Sequence, residues 1–138
     1  MGASRKEIVE QELGIKVPDQ YAAYLEKYGI FHAFGIEVYG ISDDLLNYDG
    51  IPCVIGATKK LRKSEGLPHR FLVIESIGVD GIITCLDTED EKVYSISYVY
   101  GDEKLADSFD EWFQKDIIEY SKREIPSKYV GAKIIPID

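Results

Sequence analysis

The stretch FLVIESIGVDGIITCLDTEDEKVYSISYVY, residues 71–100, holds three apolar runs separated by turn-forming residues. The runs are Phe71–Ile77, Ile82–Asp87 and Val93–Tyr100, and each reads as a strand. Asp80-Gly81 between the first two is a hairpin signal, because glycine accepts the positive φ that tight turns demand. The unbroken FLVI run predicts a strand covered on both faces. In the third run, Tyr94, Ile96, Tyr98 and Tyr100 alternate with Val93, Ser95, Ser97 and Val99, as in a more exposed strand. An antiparallel meander is the economical topology.

Outward from this centre the periodicity turns helical. Ser4 and Glu7 form a capping box that opens a helix ending at Gly14. Pro18 suits a first helical turn, and Tyr21, Leu25 and Tyr28 mark an apolar face that stops at Gly29. IEVYGI, residues 36–41, alternates as a half-buried strand, and SDDLLNYDG predicts a short helical turn. CVIGATKKLRK, residues 53–63, predicts a helix with cations near its C-terminus. Ser108 and Glu111 form a second capping box ahead of Phe109, Trp112, Phe113, Ile117 and Tyr120, a helical face expected to run to Glu124. The fold class is therefore α+β: a mainly antiparallel sheet packed with N-terminal helices and a long C-terminal helix. In the tail, Ile134, Ile135 and Ile137 predict docking against the domain.

A chain of 138 residues, 45% hydrophobic, fits one domain over 1–138. No apolar run approaches the roughly 18 residues that cross a bilayer, and MGASRKEIVEQ lacks the form of a secretory signal. The two cysteines, Cys53 and Cys85, are too few for a disulfide scaffold and read as reduced core residues of a cytoplasmic protein. The net charge of −9 sits wholly in residues 80–119, where twelve acidic side chains face three lysines. An acidic field repels phosphate backbones, so direct nucleic-acid binding is not expected, and a basic protein partner is the natural complement.

Chemistry has few components to draw on. Glu75, Asp80 and Asp87 on the hairpin could pair as acid and base only if the strand register brings them together. The simpler roles are Asp80 as a turn residue and Asp87 as a cap on nearby backbone N–H groups. DTEDE at 87–91 concentrates oxygen ligands but lacks the glycine that a calcium loop of EF-hand type requires. Cys85, inside a strand without a cationic neighbour, is expected to be inert. Gly14, Gly29, Gly35 and Gly40 have no phosphate-binding spacing. No enzyme activity, cofactor or metal is expected.

Taken in order, LGIKVPDQYAAYLEKYG, IEVYGI, LPHRFLVIES, ITCLDT, VYSISY and SFDEWF resemble the SUKH superfamily, which includes bacterial immunity proteins and a yeast cell-wall-assembly regulator. The pieces cover most of residues 13–113. The sequence departs from the family where the second helix ends: YGIFHAFG stands where members often carry Gly-Gly or Asn-Gly. The resemblance implies helices around an antiparallel sheet and, in bacteria, neutralisation of polymorphic toxins, often nucleases, by binding. It carries no catalytic residues. The expected partner surface comprises Asp80, Asp87, Glu89, Asp90, Glu91, Tyr98, Tyr100, Asp102 and Glu103. It would match the basic substrate cleft of a nuclease toxin. The alternative is a regulatory interaction module with no toxin partner. The sequence leaves self-association open.

Overall fold

A computed structural model describes residues 4–33, 36–42, 53–76, 82–97 and 101–119. Its element order is α1 (Arg5–Leu13), α2 (Asp19–Lys27), β1 (Phe31–Ala33), β2 (Ile36–Val38), α3 (Val54–Glu65), β3 (Phe71–Ser76), β4 (Ile83–Asp87), β5 (Val93–Ile96), β6 (Glu103–Ala106) and α4 (Phe109–Trp112). α4 continues as a π-helical segment, Phe113–Glu119. The expected α+β class holds. β3 to β6 form a four-stranded antiparallel sheet in chain order, the anticipated meander with one strand more, and β1 and β2 form a separate antiparallel pair. The expected turn in SDDLLNYDG, the Asp80-Gly81 hairpin, the continuation to Glu124 and the tail lie outside the described residues.

The helix starts follow the caps. Ser4 Oγ accepts the Glu7 N–H at 3.2 Å and Glu7 Oε1 accepts the Ser4 N–H at 2.9 Å, a complete capping box. At the other end Gly14 takes φ +69°, and its carbonyl meets His69 Nε2 at 3.1 Å while Arg62 Nη1 donates to the Leu13 carbonyl. The second box is only half made. Ser108 Oγ accepts the Glu111 N–H, but the Glu111 carboxylate turns to the Asp107 N–H instead of the Ser108 N–H.

Tyrosines join α2 to the small hairpin. The Tyr21 hydroxyl donates to the Tyr39 carbonyl at 2.7 Å, and the Tyr24 hydroxyl donates to the Val38 carbonyl while accepting the Phe31 N–H. Burial raises both phenol pKa values. Tyr21, Tyr24, Tyr28, Phe31, Phe109 and Phe113 then pack ring against ring, several pairs edge to face, so the last helix meets α2 and β1 through its rings. Gly40 is required by a close approach: a Cβ there would fall 1.8 Å from the Gly29 carbonyl oxygen.

Register assigns the two sheet faces. Leu72, Leu86, Val93 and Ala106 lie side by side on the inner face, and Val73, Cys85 and Tyr94 on the outer one. Phe71 to Ile74 are all buried, as the FLVI run predicts. A bulge falls between Val73 and Glu75. The outer edge of β3 is closed there: the Val73 N–H donates to Thr58 Oγ1 of α3 at 3.0 Å, and Ile74 accepts the Tyr39 N–H at 2.8 Å.

Candidate partner-binding surface

The acidic turn between β4 and β5 is tied from below. Asp87 closes the hairpin through its backbone, donating to the Lys92 carbonyl and accepting the Glu91 N–H. Its Oδ1 accepts the Glu89 N–H at 2.8 Å and the Asp90 N–H at 3.4 Å, while Oδ2 accepts Arg70 Nε at 2.9 Å. The Arg70 guanidinium also lies over the Phe71 ring at 4.6 Å. Its pKa is raised, chiefly by the hydrogen bond to Asp87. Thr88 adds two donors to the Arg70 carbonyl. Asp90 accepts the Lys92 N–H and, at 2.6 Å, the Tyr94 hydroxyl. That bond pushes the Tyr94 phenol up to about 12. Glu91 takes φ +64° without being glycine.

The expected surface residues fall into distinct groups. Glu89, Asp90 and Glu91 are exposed on this braced turn, whereas Asp87 is buried beneath them and holds it in shape. Asp102 and Glu103 are exposed at the start of β6. Since Glu103 pairs with Ser95 and Ala106 with Val93, they stand at the opposite end of β5 from the turn, about 10 Å along the strands. Asp80, Tyr98 and Tyr100 lie outside the described residues. The neighbour that the turn does gain is Asp107, paired with Lys104 at 2.6 Å and close enough to Lys92 for its own pKa to be lowered, mainly through Lys104. Sequence reading missed it because β6 was not anticipated: GDEKLAD carries no alternation long enough to mark a strand.

Register also answers the carboxylate question. Asp87 pairs with Phe71 on the outer face, while Glu75 pairs with Thr84 on the inner face. Glu75 is largely buried, accepts the Thr84 hydroxyl at 3.2 Å, and has its pKa raised by burial first and by Asp116 in a smaller part. The two carboxylates therefore do not meet. Cys85 is fully buried and its thiol pKa is raised by desolvation. Among the described residues no group of three His, Cys, Asp or Glu side chains is disposed to hold a metal ion, and no helix is long and apolar enough to cross a membrane.

At the Asp102 end, the outer face opens into a groove of about 480 Å³ floored by Val73, Ile83 and Ile96 and walled by Leu61 and Leu67. Asp102 borders it. The alternation of Val93 to Tyr100 predicts a half-exposed strand, but only the fold reveals that α3 and the Gly66–Pro68 connection raise a wall beside it.

A family model, SUKH_5, described as SMI1-KNR4 cell-wall, matches residues 3–119, a span that contains every element described above.

Proposed function

Because the chain belongs to the SUKH superfamily through its SMI1-KNR4 match, we propose that it is a cytoplasmic immunity protein. It binds a basic toxin domain, a nuclease, and neutralises it by occupying or flanking the substrate cleft. The observation that carries this reading is the braced turn holding Glu89, Asp90 and Glu91 in solvent, within a segment that contains the entire net charge. Fixed surface carboxylates steer a basic partner into encounter, and the rigidity of the turn limits the entropy lost on docking. Such a surface needs no cofactor and does no chemistry.

Co-expression tests the reading. The C-terminal toxic domain encoded by the neighbouring gene is produced with and without this protein. Restored growth and a 1:1 complex by size-exclusion chromatography are expected. A toxin that remains lethal and does not co-elute overturns the proposal and leaves a regulatory interaction module as the working description.

A further inference from the structure

The groove beside Asp102 has no role in steering, yet its composition is that of an anchor site. Its floor of Val73, Ile83 and Ile96 is aliphatic, with Ile83 and Ile96 half-exposed, and its volume of about 480 Å³ lies within the range of pockets that enclose a ligand. Charge stands at its borders, on Asp102, Lys60 and Glu65. Asp102 is exposed on the β6 side and holds no ion pair among the described residues, and Lys60 of α3 stands across from it. Interfaces gain most of their affinity from a few apolar or aromatic side chains seated in such pockets, with charge on the rim setting register.

From this geometry we infer that the groove receives one apolar or aromatic side chain of the basic partner, with a Lys or Arg next to it in sequence pairing with Asp102. This rests on the partner reading above and adds the chemistry of the contact. The occupant is a segment of a basic protein because the flank that Asp102 occupies belongs to the acidic segment 80–119, so a neighbouring carboxylate on the ligand is repelled there. Asp102 sets the polarity: the base lies toward β6, because the α3 side carries both signs, Lys60 and Glu65, and favours neither. The acidic turn and the groove divide the work, since the turn lies at the far end of β5. The turn acts on the rate of encounter, and the groove acts on the lifetime of the complex.

Methyl NMR of the full chain, labelled at isoleucine, tests this with two defined peptides and with the toxic domain. Acetyl-Trp-Arg-amide is expected to shift the Ile83 and Ile96 methyl signals in a saturable way, and acetyl-Trp-Glu-amide to bind at least fivefold more weakly. Asp102→Lys, an exposed substitution that leaves the core untouched, reverses that order. Equal binding of both peptides, or shifts that avoid Ile83 and Ile96, overturns the inference. Shifts that follow the protein's own concentration assign the groove to a second copy and equally overturn it. The toxic domain separates the two readings. If it binds but leaves both methyl signals unmoved, the groove inference falls while the immunity reading stands. If it does not bind, the immunity reading falls, and the peptides still judge the groove.

Discussion

Asp87 is a single carboxylate that holds an entire turn, and its removal should be measurable in two ways. Asp87→Ala deletes the acceptor for the Glu89 and Asp90 N–H groups and for Arg70 Nε. The shorter N–H bond, 2.8 Å and part-buried, is worth about 1 to 1.5 kcal/mol, and the longer one, at 3.4 Å, about 0.5 kcal/mol. The Arg70 partner adds about 0.5 to 1 kcal/mol, since its side chain is 43% exposed and regains water when released. The expected loss is about 2 to 3 kcal/mol. Asp87→Asn keeps an oxygen for the Glu89 N–H and loses only the ionic part, so it should cost about 1 kcal/mol. Urea titration followed by circular dichroism reads both values, with Glu89→Ala, an exposed side chain, as a control expected within about 0.5 kcal/mol of the parent. A loss below about 0.5 kcal/mol for Asp87→Ala would show that the turn is held by its backbone alone. The same variants should bind a basic partner more slowly only insofar as the turn loosens, since Asp87 itself is buried.

Replacing Glu89, Asp90 and Glu91 with Gln, Asn and Gln should slow association with the toxic domain and flatten its salt dependence while changing dissociation less; stopped-flow mixing across a salt series checks this. Gly40→Ala should destabilise the protein by at least about 3 kcal/mol because backbone must move, whereas Gly66→Ala, with nothing within 4 Å, pays only its left-handed φ, about 1 to 2 kcal/mol; parallel denaturant melts compare them. Glu75 has a raised native pKa, so the folded state binds its proton more readily than the unfolded chain. Stability contributed by that proton is present at low pH and lost as pH rises through the native pKa, and Glu75→Gln should raise Tm at pH 7 while flattening this part of the profile in calorimetry. Asp90→Asn should lower the Tyr94 titration from about 12 toward the ordinary 10.0, read by NMR of labelled tyrosine because the chain holds ten.

Much of the fold was legible because its signals are local. Ser4 with Glu7, the glycines at 14 and 29, and the FLVI run each specify a feature within a few residues, and each appears where expected. What escaped is what depends on distant partners. β1 is three residues long and exists because the Tyr24 hydroxyl and β2 supply its hydrogen bonds. β6 is mostly exposed and exists because β5 offers it an edge. Of the candidate surface, the turn was legible from DTED and so was the capping role of Asp87, but the burial of Asp87 beneath the exposed acids was not. The separation of Asp102 and Glu103 from that turn follows from register, which periodicity alone does not set when both flanking segments are short.

The closed edge of β3 has a consequence for synthesis. FLVI has the composition of an aggregation-prone segment, an apolar β-rich run whose free edge could recruit another strand. Both groups that close it, the Tyr39 N–H and the Thr58 hydroxyl, lie N-terminal to it. A chain that emerges from the ribosome N-terminus first therefore carries the cover before the strand it covers. β4, which supplies the other edge, follows within the next eleven residues after Ser76, ending at Asp87. The hazard is confined to that interval, and an order of elements placing α3 after the sheet would lengthen it.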